Sequence, residues 1–356
     1  MCPVPVVPGC ITSATASAVK EKALDRKLRN HRTNLLVQLG LALLLLAVTG
    51  ACSSTPESHG VQDPTQIEPI QLDTGENLQV VATTNIVGDV VHQVGGDHIA
   101  LNTLMGIGID PHSYVPSPAD SAAIHDAHVV FANGAGLESD LERVFESAGG
   151  DALHVYLSDG LQHRLIGGGL EEAEDEHEHN EGEIDPHVWF DVNNVILWVD
   201  TIEQVLSALD PSNASAYQAN AASYTQELEE LDAWVVEQLA TIPEANRKLV
   251  TNHPTFGYLA GRYGLEQVGA VYPFSPSAEP SARDIASLED TIREFNVPAV
   301  FAESTVNPKL AEQVAADTGV ELVPLYSGSL GGPGSGAETY IELIRYDISA
   351  IADALK

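Results

Sequence analysis

A chain of 356 residues with 44% apolar side chains has material for two ordinary domains with sizeable cores. Its 51 acidic residues against 16 basic ones, a formal net charge of −35, exclude a nucleic-acid binder, because phosphate contacts demand Lys and Arg. Its three cysteines, Cys2, Cys10 and Cys52, all precede the globular part, so neither a disulfide framework nor a thiolate zinc site is available there, and any metal must be held by His and carboxylate.

In chain order, a basic stretch from Lys20 to Arg32 comes first. It holds six of the 16 basic residues, and two acidic ones, so 10 basic and 49 acidic groups remain after it. A field of that sign attracts cations but also simply keeps a protein soluble. Leu35 to Val48 is an apolar, Leu-rich run, too short to span a bilayer comfortably but suited to a signal-peptide core. It leads into Val48-Thr49-Gly50-Ala51-Cys52, which resembles a bacterial lipoprotein cleavage site with Thr49 where the pattern prefers Leu. The expectation is a signal peptide over residues 1–51, cleavage before Cys52, lipid on the Cys52 thiol and an extracytoplasmic protein anchored to the membrane; the alternative is an uncleaved anchor. Residues 52–77 are rich in Pro, Ser, Thr, Asp and Glu and read as a flexible tether.

From Leu78 the texture alternates. Strands are expected at Leu78–Thr84, Ile99–Leu104 and His128–Asn133, and helices from Ile86 to Val94, Pro118 to Ala127 and Leu137 to Ser147. A helix from Val192 to Leu209 precedes an Ala- and Glu-rich stretch to Ala240 with no Gly or Pro, on which Tyr217, Ala221, Tyr224, Leu228, Leu231 and Trp234 form a helical stripe. Nearly thirty helical residues reach roughly 40 Å, enough for a strut across two lobes. After it, strands at Lys248–Thr251, Glu266–Val271, Ala299–Ala302 and Leu322–Tyr326 alternate with helices at Phe256–Tyr263, Ile285–Glu294, Leu310–Thr318 and Ala337–Leu355. The fold class expected is α/β: two lobes, each a parallel sheet flanked by helices, joined by one long helix. The boundaries are residues 78–211 for an N-terminal metal-binding lobe, 212–241 for the linker helix and 242–356 for the C-terminal lobe.

Three histidines share one context: His112 and His187 each in Asp-Pro-His, and His253 in Thr-Asn-His-Pro. Two follow expected strands and His187 opens an expected helix, so all three fall where open α/β sheets carry their ligand crevice. Three imidazoles meeting across an interlobe cleft suit a tetrahedral zinc site with one position left for water or carboxylate. Within residues 171–184 lies an acidic stretch bearing His177 and His179, whose composition cannot offset the entropy of ordering; it is expected to be a loop that binds additional zinc weakly.

These pieces together resemble the zinc- and manganese-binding solute-binding lipoproteins of bacterial ABC importers. The resemblance runs from Leu78 to the C-terminus and rests on Val81-Ala82-Thr83-Thr84-Asn85-Ile86-Val87-Gly88-Asp89, Asp110-Pro111-His112-Ser113-Tyr114, the His/acid loop, Asp185-Pro186-His187-Val188-Trp189-Phe190-Asp191 and Asn252-His253-Pro254-Thr255-Phe256-Gly257-Tyr258, with Glu279-Pro280-Ser281-Ala282 and Gly334-Ser335-Gly336-Ala337-Glu338-Thr339-Tyr340. It implies a non-enzymatic protein, a metal in the interlobe cleft, and His112, His187 and His253 as its ligands. It further implies an ABC permease and its ATPase as partners and a monomer as the working form. The third ligand is His in zinc-type members and Glu in manganese-type members, so His253 implies Zn2+, with Mn2+ as runner-up. One departure stands out: the family often has a fourth carboxylate ligand where this chain has Gly328. Glu303 is the candidate replacement, either as a fourth ligand or, preferably, as a partner that orients a ligand His. The rival readings are a metal-binding surface adhesin, a manganese-specific binding protein and a zinc-dependent hydrolase; the last lacks any HExxH pair.

Overall fold

The computed structural model describes residues 67–166, 183–272 and 280–356. The expected signal peptide, Cys52, most of the expected tether, and His177 and His179 lie outside these residues.

Two four-stranded sheets, each wholly parallel, organise the described residues. The first has the order β2-β1-β3-β4, with β1 at Leu78–Ala82, β2 at Ile99–Thr103, β3 at Val129–Ala132 and β4 at Leu153–Tyr156. The second has the order β6-β5-β7-β8, with β5 at Lys248–Thr251, β6 at Glu266–Ala270, β7 at Ala299–Glu303 and β8 at Glu321–Leu325. Numbered within each lobe, both orders are the same. The central strands β3 (VVFA) and β7 (AVFAE) are buried along their whole length, as expected of parallel strands covered on both faces. β4 is absent from the expectations above. Its four residues, Leu-His-Val-Tyr, follow Gly149, Gly150 and Asp151, and they become a strand only by adding to the edge of β3.

The helices in chain order are α1 (Asn85–Gly95), α2 (Pro118–Asp126), α3 (Ser139–Ala148), α4 (Val192–Leu209), α5 (Ala214–Ala240), α6 (Gly257–Tyr263), α7 (Ala282–Phe295), α8 (Lys309–Thr318) and α9 (Tyr340–Leu355). The 27-residue α5 is the strut. Its buried stripe is Tyr217, Ala221, Tyr224, Leu228, Leu231, Val235 and Leu239. Val235 thus takes the place expected for Trp234, whose ring is half-buried under the Arg345 guanidinium at 4.8 Å. The stripe packs on α1 and α4 from the first half and on α9 from the second. One continuous apolar core therefore runs through both lobes, and Phe190 packs against Phe256 across the junction with ring centroids 4.5 Å apart.

Two expectations change here. The tether was expected to reach residue 77, yet Ile67, Ile70 and Leu72 pack against the core and the Ile70 N–H donates to the Leu209 carbonyl at 2.8 Å. Three apolar side chains at that spacing have surface to bury, so residues 67–72 lie against the core. His187 does not itself open an α-helix: a 3-10 turn, Val188–Phe190, intervenes, and α4 starts at Val192 under an Asp191 cap.

Candidate metal centre

His112, His187 and His253 meet at one point between the two sheets, with their ligand atoms all within 4.8 Å of one another. His112 Nε2 lies 3.0 Å from His187 Nε2, and His253 Nε2 lies 3.2 Å from the same atom. The three rings are 5.1–5.3 Å apart by their centroids. They line a cavity of about 290 Å³ together with Pro186, Pro254, Ile184 and Glu183.

The same tripeptide presents two of the three histidines, and its Asp does different work in each. At His112 the backbone makes a 3-10 turn, Pro111–Ser113; Asp110 Oδ1 accepts the His112 N–H at 3.0 Å and Oδ2 accepts the Ser113 hydroxyl at 3.1 Å. Pro111 fixes φ at the head of that turn. At His187, Asp185 Oδ1 accepts both the His187 main-chain N–H at 3.0 Å and its ring Nδ1 at 2.7 Å. Asp185 is almost wholly buried, and it abuts the start of α6: a Cβ on Gly257 would stand 2.5 Å from Asp185 Oδ2. Any side chain at position 257 would displace the carboxylate. Asn133, at the end of β3, donates from Nδ2 to the Pro186 carbonyl at 3.0 Å and steadies the same turn.

His253 leaves the end of β5, and Glu303 is the last residue of the adjoining β7. In the sheet β6-β5-β7-β8 the strand order reverses between the parallel neighbours β5 and β7, which is where an open sheet forms its crevice. Glu303 Oε1 accepts from the His253 N–H at 3.0 Å and from Nδ1 at 2.9 Å, while Oε2 accepts the Thr255 hydroxyl at 2.9 Å. Both oxygens are engaged, and Glu303 is not among the groups whose ligand atoms converge. Its hydrogen bonds go to His253 and Thr255.

A carboxylate can only accept, so Asp185 and Glu303 draw the protons of His187 and His253 to Nδ1 and leave the Nε2 lone pairs facing the centre. Where two of these nitrogens both carry lone pairs, 3.0–3.2 Å is a repulsive separation that a shared cation would relieve. Tetrahedral zinc with Zn–N of about 2.0–2.1 Å sets nitrogen–nitrogen edges of about 3.3–3.4 Å, close to what the rings present. Burial, then the neighbouring His187 and His253, hold the His112 pKa down to about 2, so it stays neutral and ready to ligate. Burial would also lower His253, but the Glu303 carboxylate outweighs it and raises that imidazole above its ordinary value. Burial likewise works against ionised Glu303, and His253 more than compensates, holding the carboxyl at about 2.

Gly328, at the position of the family's frequent fourth carboxylate, lies against the turn that carries His112. A Cβ there would stand 2.8 Å from Pro111 Cδ. The missing side chain is what lets this loop approach His112 so closely. Asp185 went unread in the sequence; the signal for it was the repeat of Asp two positions before a His, at Asp110 and at Asp185. Among the described residues no helix is long and apolar enough to cross a membrane.

The sequence pattern of the family described as ZnuA, zinc-uptake complex component A, periplasmic, matches residues 80–354. The manganese-binding lipoprotein MntA of Halalkalibacterium halodurans is 34% identical over 292 residues, covering 79% of this chain and 89% of that protein. Among solved structures, the periplasmic zinc-binding protein TroA of Treponema pallidum superposes with a TM-score of 0.69 at 30% identity, over 79% of this chain and 99% of TroA. The Mn-bound periplasmic metal-binding protein of Candidatus Liberibacter asiaticus gives a TM-score of 0.69 at 26% identity, over 79% of this chain and 100% of that one.

Proposed function

The chain belongs to the ZnuA family of metal-binding, substrate-binding proteins of ABC importers, and on that footing we propose that it captures zinc outside the cytoplasm through His112, His187 and His253 and passes it to a permease driven by an ATPase. The family is non-enzymatic, and the metal is cargo.

The observation that carries the zinc reading is the donor set. Three imidazole nitrogens converge, and no carboxylate joins them among the described residues. Imidazole suits zinc, whereas carboxylate and water suit manganese. The nitrogen spacing does not separate the two ions, since six-coordination at slightly longer bonds gives similar edges; the support for zinc comes from the chemistry of the donors. Manganese is the second reading, favoured by the name of the relative MntA. Two further parts of the proposal rest on sequence alone: lipid attachment at Cys52, which holds a monomer at the membrane, and weak additional zinc binding by His177 and His179.

Titration of the metal-free protein with zinc tests the assignment. One tight site is expected, severely weakened in each of His112→Ala, His187→Ala and His253→Ala. A tight site that survives in any of the three removes that residue from the ligand set.

A further inference from the structure

The segment from Ser327 to Leu330 supplies no ligand side chain, yet it touches the turns that bear two of the three histidines. Ser329 Oγ accepts the Gly108 N–H at 2.7 Å, four residues before His112. Asn85, the first residue of α1, completes the contact with one amide. Its Nδ2 donates to Ser329 Oγ at 3.0 Å and to the Gly106 carbonyl at 3.0 Å, and its Oδ1 accepts the Leu330 N–H at 2.7 Å. Gly328 presses on Pro111, and the Ser327 carbonyl accepts Trp189 Nε1 at 3.1 Å, two residues beyond His187. Ser329 is fully buried and Asn85 nearly so, so water cannot substitute for these bonds.

We infer that Ser329 and Asn85 are positioning residues for the metal site: a latch between the lobes that holds the His112 turn at ligating distance from His187 and His253. The inference rests on the ligand assignment above and deepens it. The physical reason is pre-organisation. The stretch from Gly106 to Asp110 contains two glycines, and Ile107 and Ile109 are exposed, so little apolar packing fixes it. Its anchors are hydrogen bonds from Ser329 of the other lobe and from Asn85 of its own. A ligand His on an unanchored turn loses entropy when it coordinates, and that loss appears as weaker binding. In this chain the loop that offers no fourth carboxylate contributes instead by fixing the place of the first imidazole.

The test is a double-mutant cycle read by zinc affinity. Ser329→Ala alone is expected to weaken zinc binding roughly 10–100-fold, the range typical of residues that orient a ligand. In a His112→Ala background the same change is expected to have no further effect, because the turn it holds no longer carries a ligand. Asn85→Asp, which keeps the acceptor for Leu330 but loses the donors, is expected to act likewise and serves if Ser329→Ala fails to fold. Cobalt(II) substitution gives an independent readout: a broadened, weakened visible band in the single variants marks a displaced His112. Unchanged affinity in both single variants, or an equal loss with and without His112, overturns the latch. Full zinc affinity in His112→Ala alone would overturn the ligand assignment itself, so the two failures are distinct.

Discussion

Glu303 grips His253 at two points with one oxygen, taking the main-chain N–H at 3.0 Å and ring Nδ1 at 2.9 Å. The carboxylate thereby fixes both the place of the residue and the rotation and tautomer of its ring. Glu303→Gln keeps the shape and an acceptor but loses the charge. Zinc affinity is expected to fall roughly 10–100-fold, as for other outer-shell partners of metal-bound histidine. Competition with a chromophoric chelator measures it. A loss as large as that of His253→Ala would make Glu303 a ligand instead.

The same pair sets two opposite pH trends. With His253 as a ligand, zinc would need its Nε2 unprotonated, and the Glu303 carboxylate raises this imidazole above its ordinary 6.5. Affinity is therefore level above the raised pKa and falls about tenfold per pH unit below it, one proton being displaced per metal. His112, held at about 2, adds no step in that range. Stability of the metal-free protein follows the other sign. The contribution of His253, whose folded pKa is raised, is complete below 6.5 and is lost as pH rises through the folded value. That of Glu303, whose folded pKa is depressed, is present above 4.5 and is lost as pH falls toward about 2. Thermal melting of the metal-free protein should thus show the pair's full contribution between 4.5 and 6.5. A metal-free protein that is stabilised on passing from pH 6 to pH 9 would contradict this.

Much of this was legible because period and punctuation carry it. The α5 stripe was read from its spacing, and the three histidines from their prolines and their places at the ends of strands. What was not legible depends on contacts between distant residues. β4 is a strand only because β3 offers an edge. Asp185 reaches its ring by a turn geometry that Asp110, in the same tripeptide, does not share. Asn85 and Ser329 are 244 positions apart, and no local pattern links them.

Gly328 offers a direct test of whether the donor set decides between zinc and manganese. If the neutral donor set favours zinc, Gly328→Asp should lower the ratio of zinc to manganese affinity, because carboxylate oxygen is the better manganese donor. The added Cβ meets Pro111 in either substitution, so Gly328→Ala is the steric control. Both should weaken zinc; only the Asp variant should change the ratio. An equal change in both variants would assign the effect to displacement of the His112 turn.

Cys52 is the expected attachment point, preceded by a basic stretch and an apolar run in the order a lipoprotein leader requires. In Cys52→Ala the protein is expected to leave the membrane fraction, measured by fractionation of cells producing each form. Retention with the leader still attached would favour an uncleaved anchor.

The measurement that bears most directly on the central claim is competition between zinc and manganese for the metal-free protein, repeated in His253→Ala. Three converging imidazoles with no carboxylate joining them among the described residues should bind zinc the more tightly, and loss of His253 should severely weaken it. Tighter manganese binding, or full zinc affinity in His253→Ala, would contradict the assignment.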